Sequence, residues 1–355
     1  MKRSLTILNV AYPLLPVSFD AIGAAQQTIA HLDAGLVSEG HRSIVIACAG
    51  SRVHGDLVRI PRVESLVFAE KLMAAQEHCR AAIDSVLRQV RVDVVHLHGH
   101  DFAAYLPPPG VPVLVTLHRG ASAYSPGALS IRRPNTFLHG VSEAQQRAMG
   151  SDGRWLPPIS HGVAVDAFAA VVRQPEDFVL GIGRIAPEKG FHLALEAAQR
   201  ANVPMILAGE VDSYPLHLGY FRREVEPLLD EQRRFVGAVG LDEKRRLISA
   251  ARAVLVPNQV AEASSMVTME AAACGTPVIA TSLGALPDLI EPWRTGLLAD
   301  GSAAMADAIG LIDSVPSSGC RVVARERFRW ETSQALYFQR YHQLANGGTH
   351  RAHAA

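Results

Sequence analysis

The chain has 355 residues, 48% of them hydrophobic and 19% charged, with 34 Lys and Arg against 34 Asp and Glu. At roughly 150 residues per domain this length predicts two domains, each with its own core, and the apolar content excludes a disordered chain. Zero net charge counts against a nucleic-acid binder, which carries a basic surplus, and no apolar run reaches the ~18–20 residues of a membrane span.

Met1-Lys2-Arg3 ahead of Leu5–Leu15 looks like a signal peptide, but Asn9 and Pro13 interrupt the run and favour a short strand over Leu5–Ala11. Gly23–Glu39 reads as a helix stopped by Gly40, which suits a left-handed C-cap. Strands follow at Ser43–Ala49 and Leu57–Ile60, then a long helical pattern at Glu64–Val90 and strands at Val92–Leu97 and Val111–Leu117. Ser142 with Gln145 three residues on forms a capping box that opens another helix. Residues 167–177, with Arg173-Gln174-Pro175-Glu176, read as a linker, after which the pattern restarts.

The second series predicts strands at Phe178–Gly183, Val203–Ala208, Ala253–Pro257 and Pro277–Thr281, with helices at Gly190–Ala201, Asp242–Ala250, Met266–Cys274 and Met305–Asp313. Alternation of this kind means βαβ units and parallel sheets. The expected fold is therefore α/β, two doubly wound Rossmann-type domains facing each other across a cleft, where such sheets bind ligands at the carboxyl ends of their strands. The expected divisions are a first domain at 1–166, a second at 178–325, a C-terminal helix at 326–345 that crosses back to the first domain, and a disordered tail at 346–355. Four cysteines without CxxC or zinc spacing suggest free thiols in a reducing cytoplasm.

Gly181-Ile182-Gly183-Arg184-Ile185-Ala186 matches the dinucleotide fingerprint GxGxxA, and Glu210 follows the next strand. A nicotinamide oxidoreductase is therefore one reading. Against it, a helix starting at the second glycine would hold Pro187 and Gly190 in its first two turns, which both residues disfavour. A helix starting near Gly190 instead leaves Gly183–Lys189 as an exposed loop. That loop carries a guanidinium, Arg184, and an ammonium, Lys189, suited to a diphosphate beside a helix N-terminus.

Glu262 and Glu270 stand eight positions apart, and Gly275 and Pro277 end the helix that carries Glu270. With Ser265 as N-cap, the amides of Met266, Val267 and Thr268 are left aimed at an anion. Glu262 then precedes the helix and Glu270 lies one turn in, among Met269 and three alanines, where an ionised group needs a reason. Carboxylates suit vicinal diols, so the segment reads as a phosphate seat between two diol grips.

Gly183-Arg184…Glu188-Lys189-Gly190, Glu262…Glu270 and Ala273-Cys274-Gly275-Thr276-Pro277-Val278 resemble the donor half of the retaining family-four glycosyltransferases of the GT-B fold. Asp93–His98, Gly162–Phe168 and Phe328-Arg329-Trp330-Glu331 agree with it. The resemblance implies that Arg184 and Lys189 hold the donor diphosphate and Glu270 the ribose. It further implies that Glu262 contacts the transferred sugar and that the amides of Ser265, Met266 and Val267 lie near the sugar and distal phosphate, with Gly183 and Ser264 in the same loops. Val239, in Phe235–Val239, would line the nucleobase. Gly23 and Ala24 occupy the family's glycine-rich first loop, and His118 matches a histidine that touches the sugar near the reacting carbon.

Two departures bear on donor choice. The first loop has Ala24 and Gln26 where the family has a second glycine and an acid, and Ser264 and Ser265 replace an aromatic and a glycine. A methyl at Ala24 narrows the approach of backbone to phosphate.

His96, His98 and His100 alternate along a strand end as zinc ligands do, though an acceptor-side polar lining suits them better. GxSxG, Cys–His and P-loop signatures are missing. The expected protein is a cytoplasmic, metal-independent enzyme with no cofactor, which moves a sugar from a nucleoside diphosphate, uridine being the expected base, to an acceptor hydroxyl with retention. A catalytically idle sugar-nucleotide binder is the other alternative.

Overall fold

The computed structural model describes residues 3–347 except 22, 62, 64–66, 126 and 151–153. Two compact units share the chain: residues up to Ser160 with those from Ser333 onward, and His161–Thr332.

In the first unit the order is β1 (Thr6–Val10), α1 (Ala24–Ser38), β2 (Arg42–Cys48), β3 (Asp56–Ile60), α2 (Phe68–Gln89), β4 (Val94–Leu97), β5 (Val113–Leu117), β6 (Thr136–Gly140) and α3 (Glu143–Met149). The strands form one parallel sheet in the order β3-β2-β1-β4-β5-β6. Its central strands are nearly unbroken apolar runs because helices cover both faces of a parallel sheet. Leu8, Val10, Ile44 and Ile46 pack with Cys79, Ile83 and Val86 of α2, while Val45 and Ala47 pack with Ile29 and Ala30 of α1. Truncating a fully buried residue such as Ile83 to alanine costs about 2–5 kcal/mol.

The second unit continues with α4 (Val165–Ala169), β7 (Val179–Ile182), α5 (Phe191–Arg200), β8 (Met205–Ala208), α6 (Pro215–Tyr220), β9 (Arg233–Gly237), α7 (Leu241–Ala250), β10 (Ala253–Val256), α8 (Met266–Cys274), β11 (Val278–Ala280), α9 (Leu286–Leu289), β12 (Gly296–Leu298), α10 (Gly301–Leu311) and α11 (Ser317–Arg327). A last helix, α12 (Trp330–Ala345), starts in this unit and ends in the first. The second sheet is parallel in the order β12-β11-β10-β7-β8-β9. In each sheet the strand order reverses at the centre, β1 beside β4 and β7 beside β10, the switch point where open α/β sheets bind ligands.

Several expectations need correction. Residues 167–177 are not a linker: Phe168 is buried in the second core, and the Arg173 guanidinium donates to the Ser249 and Ala251 carbonyls at 3.0 and 2.8 Å and to the Thr276 hydroxyl at 2.7 Å. The division falls instead at Ser160/His161. The pattern over 326–345 is not one helix, since α11 stops at Arg327 and α12 begins at Trp330. The break has a backbone cause: Val163 N–H donates to Phe328 O at 2.8 Å, and Trp330 N–H to Val163 O at 2.9 Å. Of the expected disordered tail, Asn346 and Gly347 continue the chain after α12, and 348–355 lie outside the described residues, as do 64–66 of the expected Glu64–Val90 helix.

The capping box is half formed. Ser142 Oγ accepts from Gln145 N–H at 3.1 Å, but the Gln145 side chain turns to Val141 N–H and to the carbonyls of Leu117 and Arg119. Strands β6, β9 and β12, absent from the sequence reading, are five residues or fewer at or near the sheet edges.

Candidate active site

In the second unit the site forms where β7 and β10 end. Past β7 the chain makes a loop with a short turn at Pro187–Lys189, and α5 starts only at Phe191. The loop is not the exposed one expected, because Ile185 and Ala186 are fully buried and anchor it to the core. Gly190 caps it at φ 63°, and a Cβ there would lie 2.2 Å from Pro257 O, so only glycine fits. The dinucleotide geometry is therefore absent: no helix begins at Gly183 to offer its amides to a pyrophosphate, and Glu210 lies exposed in the loop after β8.

The loop's two cations face carboxylates. Arg184 Nη2 donates to Glu188 Oε1 at 2.8 Å, and Lys189 Nζ to Glu262 Oε1. Lys189 thus brings the first sequence-predicted carboxylate to the Gly183–Lys189 loop across 73 residues. Glu262 is seated by backbone, its carbonyl accepting from Ala285 N–H at 3.0 Å.

Ser265 is the N-cap residue of α8, as expected, but its hydroxyl does not cap the helix: it accepts from Thr268 Oγ1 at 2.9 Å. The amides of Met266, Val267 and Thr268 therefore have no partner within the helix and stay available to an anion. Ser264 Oγ is buried without a hydrogen-bond partner. Gly275 ends α8 in the left-handed conformation at φ 81°.

Glu270 is 1% exposed. Lys244, on α7, donates to its Oε1 at 2.6 Å, while Oε2 has no partner. A buried carboxylate oxygen left unpaired is costly, and a ligand hydroxyl is the group that would satisfy it. The sequence reading missed Lys244. No local signal marks it, because the pair spans 26 residues and two helices. Val239, after β9, is half-buried against the second core, and Phe235 lies 4.9 Å from Phe221 between ring centroids.

The remaining predicted residues belong to the first unit. Gly23 is the N-cap of α1 and Ala24 its first residue, with no acidic side chain in the first turn. His118 follows β5, its Nε2 3.1 Å from His98 Nδ1. The alternating histidines do not converge on one point. His96 has Tyr341 Oη and Thr116 Oγ1 at 2.7 Å on its two nitrogens, and His100 lies against the Tyr12 ring at 4.6 Å. Burial holds His96 well below its usual pKa, so it is neutral. Among the described residues no group of three or more His, Cys, Asp and Glu is arranged to hold a metal ion, and no helix is long and apolar enough to cross a membrane.

Two parallel doubly wound units, one bearing two cations that face carboxylates and a buried Glu270 near its switch point, define the GT-B class. Residues 176–312 match the family described as Glycosyl transferases group 1, and residues 25–155 match Glycosyltransferase Family 4. The chain belongs with the GT4-like glycosyltransferases of the GT-B fold.

Among curated relatives, D-inositol 3-phosphate glycosyltransferase from Mycobacterium sp. (strain JLS) is 29% identical over 60% of this chain, which spans only 44% of that protein's length. Phosphatidyl-myo-inositol mannosyltransferase from Mycobacterium leprae is 25% identical, covering 95% of this chain and 97% of its own. Among solved structures, AviGT4, a glycosyltransferase involved in avilamycin A biosynthesis, is 25% identical, with TM-score 0.68 and coverage of 96% and 98%. Anabaena HepE in complex with UDP-glucose has TM-score 0.71 at 18% identity, covering 95% and 99%.

Proposed function

We propose that the protein is a retaining, metal-independent glycosyltransferase that moves a sugar from a nucleoside diphosphate, uridine diphosphate first among them, to an acceptor hydroxyl. The observation that carries this reading is Glu270: a carboxylate 1% exposed, one oxygen held by Lys244 and the other without a partner, one turn inside a helix whose first amides are open. A vicinal diol beside a phosphate group supplies what each of these atoms lacks.

In this reading Arg184, Lys189 and the amides at the start of α8 hold the diphosphate. They stabilise the charge that grows on it as the bond from the sugar's anomeric carbon to the phosphate oxygen breaks. Those groups supply the positive charge that a divalent cation would otherwise bring. The bond to the acceptor oxygen forms on the same face, and the acceptor's proton passes to the departing phosphate oxygen, so no enzyme nucleophile is required. Glu262 contacts the sugar, Val239 the base, and Ser264 and Ser265 tune sugar choice. Gly23, Ala24 and His118 act from the first unit. HepE, crystallised with UDP-glucose, supports the choice of uridine. Four cysteines held as thiols suit a cytoplasmic setting.

A melting-temperature screen against UDP, GDP, ADP and TDP and their sugars tests the reading. The matching nucleotide, at ~100 times its dissociation constant, stabilises by about 2.7 kcal/mol. Stabilisation by NADH with none by any nucleoside diphosphate would refute it.

A further inference from the structure

The carboxyl ends of β1, β4 and β5 lie side by side, and each contributes one member of a hydrogen-bonded chain. Asn9 Oδ1 lies 3.3 Å from His98 Nε2, and His98 Nδ1 lies 3.1 Å from His118 Nε2. Asn9 is fully buried and His98 is 2% exposed. His118 is half-buried at the mouth of the chain, its ring lying parallel to His98 at 5.4 Å between centroids.

We propose that Asn9 and His98 are positioning residues that fix His118 in one tautomer, with its proton on Nε2 and its lone pair on Nδ1. The argument follows the protons. An amide oxygen only accepts, so His98 Nε2 carries a hydrogen. A second proton on His98 would place a charge in a site 2% exposed, 3.8 Å from the neutral His96 ring between centroids, and burial opposes it. His98 is therefore neutral, and its Nδ1 accepts. The donor to that nitrogen is His118 Nε2–H, which makes Nδ1 the basic atom of the His118 ring.

The backbone is held as firmly as the ring. Gln145, 5% exposed, donates from one amide nitrogen to Leu117 O at 2.6 Å and Arg119 O at 2.8 Å, the carbonyls on either side of His118. Its Oε1 accepts from Val141 N–H at 2.7 Å, which ties the clamp to the end of β6. Both the peptide and the imidazole of His118 are thus set before any ligand arrives, which is what a group meant to meet one substrate atom requires.

The catalytic consequence rests on the proposed function, but the tautomer does not. Long-range proton–nitrogen NMR on the full chain labelled at histidine, with His118 assigned by its loss in His118→Gln, reads the tautomer without donor. A spectrum with both His118 and His98 protonated at Nε2 is expected. His118 protonated at Nδ1 overturns the proposal, and the tautomer itself is read on the unmodified protein. In Asn9→Leu, which keeps the branched shape and heavy-atom count and removes the acceptor, His118 is expected to become a tautomer mixture. Turnover should fall about tenfold at unchanged donor KM. An unaltered His118 spectrum with unaltered kcat overturns the relay. Absence of sugar transfer by the unmodified protein with every donor tried would refute the proposed function instead, leaving the spectrum to decide the tautomer.

Discussion

Replacing Glu270 with glutamine and Lys244 with methionine, singly and together, separates the two tasks assigned to this pair. The two side chains are unequally buried: 2% of the Glu270 side chain is exposed and 21% of the Lys244 side chain. In Glu270→Gln the ammonium left behind reaches water along its flexible stem, so the stability loss is small, about 1 kcal/mol. In Lys244→Met the carboxylate left behind cannot reach water, and breaking a buried pair from that side costs about 3–5 kcal/mol. At 2–4 °C per kcal/mol for a unit of this size, that is a fall of roughly 6–20 °C in Tm. The double variant removes both charges and recovers most of the loss.

Donor binding should follow a different order. On the proposed function, Glu270→Gln weakens charge-assisted hydrogen bonds to the ribose worth about 1.5–3 kcal/mol, a rise in donor KM of roughly 10- to 150-fold. Calorimetric or fluorimetric melting of all four proteins, with donor titrations on the folded ones, measures both. Equal Tm losses in the two single variants would refute the asymmetry. A Glu270→Gln protein with native Tm and native donor KM would remove this residue from the ribose site.

Arg184→Ala is expected to slow turnover by about 10²–10³-fold with little change in Tm, because the proposed function gives the side chain the leaving-group charge to stabilise and it is one-third exposed; an unchanged steady-state rate would exclude it from that role. Gly162→Ala would place a Cβ 2.7 Å from Trp330 Cα and 2.8 Å from Arg329 O, both backbone, and chemical denaturation should show a loss of about 1–3 kcal/mol. His161 is buried with its pKa lowered from 6.5 to about 4, so the unfolded chain binds the extra proton first. Stability from this group is therefore complete above pH 6.5 and drains away towards pH 4. At pH 5 the loss is about 2 kcal/mol, and urea melts at pH 7.5 and 5 of the parent and His161→Gln resolve it.

The central strands and principal helices were legible because their signals are local. Unbroken apolar runs such as Val254-Leu255-Val256 and Val278-Ile279-Ala280 have one use, the interior of a parallel sheet covered on both faces. Gly40 and Gly275 mark helix ends through a backbone angle that glycine tolerates. Arg184, Lys189, Glu262 and Glu270 could be singled out because their spacing and apolar surroundings lie within short stretches of chain. The edge strands β6, β9 and β12 were not legible, because a short strand with few neighbours lacks the apolar run that identifies the others.

Pairing over long separations belonged to the tertiary structure alone. Lys244 meets Glu270 only because α7 and α8 pack together, and Asn9, His98 and His118 become one chain of hydrogen bonds only when three parallel strands end side by side. The break between α11 and α12 is of the same kind, since residues 328–330 continue a helical pattern and are held out of it by Val163. Periodicity records which face of an element is buried. It carries no information about which partner, 20 or 200 residues away, will sit against that face, and that choice comes from burying the whole surface at once with every polar group paired.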